Sequence, residues 1–177
     1  MKRQNRFISV LLLALLLGVL LLQVLGLFKW EESLYFGYRL SNPFQAKGDF
    51  YDPVKGHTGI DIAAPEGTPL SMTVPLRVVD IRQQNEMGTC LYAEDAWGNI
   101  LVFAHLNEIL TTEGALIKAD EIFAKTGNTG TATKGPHLHF EILSEEPEMG
   151  YEIMTRSLGN YSGYNINPVD YLSQIPN

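Results

Sequence analysis

Between Leu76 and Leu106 the chain reads as three apolar-rich runs, LRVVDI, TCLYAED and NILVFAHL, each six to eight residues long and broken at Met87-Gly88 and Trp97-Gly98-Asn99. A helix needs about ten residues or more with apolar positions three and four apart. Runs this short, rich in β-branched and aromatic residues and closed by glycine turn signals, predict strands joined by hairpins. The same pattern returns in HLHFEIL, residues 137–143, which alternates cleanly and follows the turn-rich loop GNTGTATKGP. Residues 107–121 have no clear period and leave room for a turn of helix before EIFAKTG resumes strand character. Residues 144–166, rich in Gly, Ser, Tyr and Glu, read as an excursion before the closing NPVDYL. That excursion is either a surface loop or one wall of a cleft, where Tyr151, Tyr161 and Tyr164 would offer rings to a sugar or peptide. The expected fold is mainly β, a compact antiparallel sheet domain, and 177 residues suffice for one such domain with a real core.

The N-terminus sets a different constraint. From Phe7 to Phe28 no residue is charged and only Ser9 and Gln23 are plainly polar. At about 1.5 Å per residue a helix of this stretch covers roughly the 30 Å of a bilayer's hydrocarbon. The absence of an apolar/polar period argues against a core helix. A cleaved signal peptide, cut after small residues such as Val24 and Gly26, is the alternative. Signal h-regions run only about 7–15 residues, which favours an uncleaved transmembrane anchor over residues 7–28. Lys2, Arg3 and Arg6 precede this segment, while Lys29, Glu31 and Glu32 follow it. The positive-inside rule then puts residues 1–6 in the cytoplasm and everything after the anchor outside. The expectation is a single-pass protein of the cytoplasmic (inner) membrane: a short linker at 29–35, a domain at 36–172 on the extracytoplasmic or periplasmic side, and a tail at 173–177.

Three of the 13 basic residues precede the anchor and all 20 acidic ones follow it, so the exported part holds ten basic residues against twenty acidic. No basic patch recommends nucleic acid, and that class is excluded. Cys90 is the sole cysteine, which rules out an internal disulfide even in an oxidising compartment. It is expected to be a small buried residue on a strand. Stability must come from the core or from a bound metal.

All four histidines lie in the exported part, at positions 57, 105, 137 and 139. In GHTGIDIAAPEGTP, residues 56–69, His57 and Asp61 are four apart, but Gly59, the β-branched Ile60 and Ile62, and the Ala-Pro and Gly-Thr-Pro that close the stretch favour a strand or loop over a helix. On a strand, residues 57, 59 and 61 share a face, and Gly59 would leave room between an imidazole and a carboxylate for a metal ion. His137 and His139 point to one side of their strand, roughly 7 Å apart, so that one can bind a metal while the other faces substrate. Three ligands drawn from His and Asp with one open position is the composition of a catalytic zinc site; a closed structural site would want four, usually with Cys. Zinc there would lower the pKa of its water to about 7 and allow attack on an amide. Either remaining neutral imidazole could take the proton, since no Glu stands beside the ligands as in His-Glu-x-x-His proteases. Glu141 continues the face of 137 and 139, as a hydrogen-bond partner for a ligand ring or as a solvated strand carboxylate.

HTGIDIAAPEGTP, FAHL and GPHLHFEI resemble, in this order, the three signature segments of the M23 (LytM/lysostaphin-type) zinc metallopeptidases. The similarity extends from Phe36-Gly37-Tyr38-Arg39, like the Gly-x-Arg that often opens such domains, to Asn167-Pro168. It implies a LytM/lysostaphin-like antiparallel β domain of the duplicated-hybrid-motif type, with zinc held by His57, Asp61 and His139. It makes His105 and His137 the catalytic histidines, and places Tyr51, six residues before the first ligand, where some members stabilise the oxyanion. The implied activity is cleavage of peptide cross-bridges in bacterial peptidoglycan. A non-enzymatic scaffold that activates other wall hydrolases is the alternative from another class, although degenerate members of that kind typically lose ligands and none is lost here. Partner proteins of the wall or division machinery are left unspecified. Three departures concern loop shape and substrate fit: a loop TGNTGTATKGPH, residues 126–137, one residue longer than the pattern, Leu76 where glycine is common, and Phe103 in place of a tyrosine. Only seven residues separate Phe28 from Phe36, at most roughly 25 Å of chain. An anchored site would therefore lie close to the bilayer, which brings in a membrane-proximal protein or peptide as a further possible substrate.

Overall fold

The computed structural model describes residues 34–47, 56–145, 154–158 and 161–175. The expected anchor at 7–28, its flanks, Tyr51 and Tyr151 lie outside them. Among the described residues no helix is long and apolar enough to cross a membrane.

In chain order the strands are β1 Leu34–Tyr35, β2 Tyr38–Asn42, β3 Ile60–Ile62, β4 Pro69–Leu70, β5 Leu76–Gln84, β6 Gly88–Glu94, β7 Ile100–Ala104, β8 Glu108–Ile109, β9 Leu116–Ile117, β10 Ala124–Lys125, β11 Leu138–Ser144, β12 Met154–Leu158 and β13 Tyr161–Ile166. One helix, α1, spans Pro168–Gln174. The main sheet runs β1-β2-β3-β11-β7-β6-β5-β9, all antiparallel, with β13 also paired to β11 and β12 to β13. A smaller sheet has the order β4-β10-β8.

The runs LRVVDI, TCLYAED and NILVFAHL are β5, β6 and β7, joined by the hairpin turns their glycines predict. Gly88 and Gly98 both take positive φ there, 66° and 84°, which a β-branched residue would resist. The central strands carry little alternation because both their faces are covered. On one side, Ile60, Leu91, Leu101, Phe103, Leu138 and Phe140 close against Leu70, Ile117 and Phe123. The Phe103 ring lies edge-on to Phe123 at 4.9 Å and tilted against Phe140 at 5.0 Å. Truncating such a buried ring costs about 3–5 kcal/mol. On the other face Cys90, Tyr92, Val102, Ala104 and Leu143 form a second cluster, and Cys90 is buried on a strand as expected.

Two segments differ from the sequence expectation. Residues 107–121 form no helix: β8 and β9 are two-residue strands about a turn at Gly114, each held by a neighbour distant in sequence. The 144–166 excursion contains the β12–β13 hairpin, paired in register from Met154↔Asn165 to Leu158↔Tyr161. The two residues between these strands are Gly159-Asn160, a dipeptide suited to two-residue hairpin loops, and that was the available signal. After it, Asn167 caps α1 by accepting from Val169 N, with Pro168 in the first turn. The helix is tied to the β6–β7 turn through Tyr171, whose hydroxyl donates to Asp95 Oδ2 at 2.8 Å.

Candidate metal centre and groove

Three neighbouring strands assemble the centre. In register, Asp61 of β3 lies opposite His139 of β11, and His139 lies opposite Ala104 of β7, one residue before His105. His57 precedes β3 and is fixed by its own backbone: its N–H donates to Ala46 O at 2.9 Å and its carbonyl accepts from Gln45 N at 2.8 Å. His137 enters β11 through an isolated bridge to Gly127. Gly59 plays a different part from the one its spacing suggested. A Cβ there would stand 2.2 Å from Phe140 O and 2.8 Å from Glu141 Cγ, so the missing side chain admits the β11 backbone and not an ion.

His57 Nε2, Asp61 Oδ1 and His139 Nδ1 converge: the separations are 3.1 Å for His57 to Asp61, 3.0 Å for His57 to His139 and 2.8 Å for His139 to Asp61. All three residues are buried. The opposite ring nitrogens are already used, His57 Nδ1 donating to Pro43 O at 2.9 Å and His139 Nε2 to Glu141 Oε1 at 2.8 Å. Asn42 Nδ2 donates to the other Asp61 oxygen at 3.0 Å. With those protons committed, the inward atoms of both rings face a carboxylate oxygen, and such a meeting of electron pairs calls for a cation. A proton on His139 can supply it, and so can a metal ion held by the same three atoms. The residues fit zinc by donor type, number and the outer hydrogen bonds that set each ring's tautomer.

The electrostatics follow. For His139, burial pushes the ring down, but hydrogen bonds to Asp61 and Glu141 carry it up to about 9. For Asp61, burial raises the carboxyl, and hydrogen bonds from His139 and His57 pull it far below the usual carboxylate range. Glu141 is fully buried, which settles its role in favour of a partner to His139 over a solvated carboxylate.

His105 and His137 stand beside this cluster with ring centroids 4.6 Å apart. His105 sits at φ 59°, a left-handed conformation uncommon outside glycine, and its Nδ1 donates to Thr129 O at 2.7 Å. Burial pushes its ring down to about 4, against the pull of that carbonyl, so it is neutral at neutral pH. His137 Nδ1 donates to Gly135 O at 2.9 Å, and its Nε2 lies 3.6 Å from Asp61 Oδ1. A groove of about 540 Å³ opens over all four histidines. Its walls include Ser41 and Asn42 on one side and Met87 with Thr133 to Pro136 on the other. Among the side chains described, Ser144, Glu145 and residues 163–166, Tyr164 included, do not line it; Tyr151 and the Tyr161 side chain lie outside them. Asn42 at the end of β2, and Pro43 and Thr129 in loops, reach the site and carry no motif of their own; the Asn-Pro pair marks a turn and nothing more.

An antiparallel β domain with a buried His-Asp-His cluster and two further histidines in an open groove defines the class of metallopeptidase-like β domains. Residues 55–150, more than half the chain, match peptidase family M23, and the chain belongs to that family. It is 38% identical over 95 residues to the peptidoglycan DD-endopeptidase ShyB of Vibrio cholerae, covering 51% of this chain and only 22% of that relative's length. Among solved structures, a zinc-containing peptidase from Vibrio cholerae is 32% identical with a TM-score of 0.53, covering 62% of this chain and 34% of that one. The catalytic domain of lysostaphin from Staphylococcus simulans, at 21% identity and a TM-score of 0.63, covers 77% of this chain and 93% of that domain and shares its fold.

Proposed function

We propose that the chain is a zinc-dependent endopeptidase that cuts peptide cross-bridges of peptidoglycan, held at the cytoplasmic membrane through residues 7–28 with its groove on the extracytoplasmic side. The observation that carries the activity is that one atom each of His57, Asp61 and His139 converge on a point in the groove where His105 and His137 stand beside them. The name and substrate of the relative ShyB support the substrate class.

His57, Asp61 and His139 would hold the metal. Zinc, when bound, activates a water and polarises the scissile carbonyl. This chain's own residues then move the protons. His105 presents a neutral ring whose Nδ1 proton is committed to Thr129 O, which leaves Nε2 as the acceptor that a general base requires. His137, with Nδ1 likewise committed to Gly135 O, turns Nε2 toward the same space, where its protonated form would donate to the oxyanion or to the leaving amine. Tyr51, implied as an oxyanion partner, lies outside the described residues.

The short stretch between Phe28 and Phe36 favours a second reading, a membrane-proximal peptide substrate. Digesting purified peptidoglycan with the 29–177 fragment and analysing the products by mass decides between them. Cleavage of one peptide bond in the cross-linked fraction, abolished by chelation and restored by zinc, is expected. Intact muropeptides would overturn the wall assignment.

A further inference from the structure

The β12–β13 hairpin lies past residue 150, where the family match ends. Its pairing with β11 nonetheless sets Asn165 opposite Leu143, and Asn165 is almost wholly buried. From there Asn165 Nδ2 donates to the Thr58 carbonyl at 3.0 Å. The Thr58 hydroxyl donates to Glu141 Oε1 at 2.5 Å. The same oxygen accepts from His139 Nε2 at 2.8 Å. Three hydrogen bonds thus run without a gap from the hairpin to one ring of the metal centre, across more than a hundred residues of sequence.

We propose that Asn165 and Thr58 are positioning residues for the metal centre, acting through Glu141 on His139. The inference rests on the reading of His57, Asp61 and His139 as metal ligands. A carboxylate on a strand can turn about its side-chain torsions, and only some settings keep Oε1 on Nε2 of the ring beside it. The Thr58 hydroxyl holds the carboxylate in one of them. Asn165 in turn fixes the Thr58 backbone from which that hydroxyl projects. With Nε2–H committed to Glu141, His139 is kept in the tautomer whose Nδ1 lone pair faces Asp61 and His57. Loss of outer partners of this kind typically weakens metal binding about 10–100-fold. The hairpin is on this account a buttress of the metal centre.

The test is zinc affinity by competition with a chromogenic chelator, run on the full domain with a melting curve for each sample. Thr58→Val should bind about tenfold more weakly, since it removes the hydroxyl at nearly constant shape. Thr58→Ser, which restores the hydroxyl, should bind within about twofold of the wild type, a rescue that a purely structural role would not produce. Asn165→Ala should weaken binding in the wild-type background and add nothing once Thr58→Val is present, because it works through the lost hydroxyl. If Asn165→Ala does not fold, the two Thr58 variants carry the test. Thr58→Val with wild-type affinity, or Thr58→Ser as weak as Thr58→Val, overturns the proposal while leaving the ligands in place. A wild-type domain that takes up no zinc overturns the ligand reading, and this inference with it.

Discussion

His139 is the residue on which the centre turns, because it must serve as a protonated partner without metal and as a neutral ligand with it. Held up to about 9 by Asp61 and Glu141 against the effect of burial, its ring is charged at pH 7 in the metal-free protein. Ligation removes that proton, so zinc binding near neutrality should release about one proton per ion, and affinity should climb with pH until about 9. Titration calorimetry in two buffers of different ionisation enthalpy measures the release directly. The folded pKa lies above the ordinary 6.5, so the charged ring stabilises the metal-free fold fully below 6.5, and that contribution is lost as pH rises through about 9. The melting temperature of the metal-free protein should fall across this window. Metal analysis should give about one equivalent of zinc per chain, lost when His57 or His139 is replaced with Ala, and retention of full zinc by both variants would refute the ligand set. His105→Ala and His137→Ala should keep zinc and the melting temperature while losing about 10²–10⁴-fold in turnover, the usual contribution of a general acid or base. Wild-type rates in both would remove histidine from the proton transfers. The donor types of this centre were legible in the sequence, since four histidines and one nearby Asp leave few combinations. The partners that set each tautomer were not: Pro43 O, Thr129 O and Gly135 O are backbone carbonyls, and any residue type could have supplied them.

Among the elements, β3 and β11 decide whether the ligands meet. Their register sets Asp61 across from His139, and the contact is close because Gly59 has no side chain. Gly59→Ala would drive a methyl into Phe140 O, where backbone cannot step aside as a flexible side chain would. We expect a loss of about 1–3 kcal/mol, the range for overpacking a close-packed site, with zinc affinity falling together with stability. Denaturant unfolding with and without zinc separates the two effects, and unchanged stability would mean that the two strands have slack between them. The long hairpin strands could be read from the sequence because their turns carry glycine signals. The two-residue strands β4, β8, β9 and β10 could not, because each is defined by a distant partner rather than by its own two residues. The β12–β13 hairpin escaped notice for a related reason: Met154–Leu158, reading MTRSL, lacks alternation, and its place is set by pairing with β13.

At the scale of the molecule, Asp61 and His139 stand on strands of one sheet and His57, His105 and His137 in the segments that adjoin its strands, while the segment that would determine where the protein works is the apolar run ahead of them. The orientation we propose rests on the basic residues beside that run: Lys2, Arg3 and Arg6 stand before it, and Lys29 alone stands within ten residues after it. The run from Phe7 to Phe28 is longer than the roughly 7–15 residues of a signal h-region and lacks a convincing small-x-small cut site before Lys29. We therefore expect residues 1–28 to stay attached. Membranes from cells expressing the full chain should retain the protein after high-salt and alkaline washes, and its intact mass should include the N-terminal segment. A mature chain beginning near Leu27 in the soluble fraction would show the segment to be a cleaved leader. The groove would then be free to diffuse to the wall, and the short tether would no longer favour a membrane-proximal substrate.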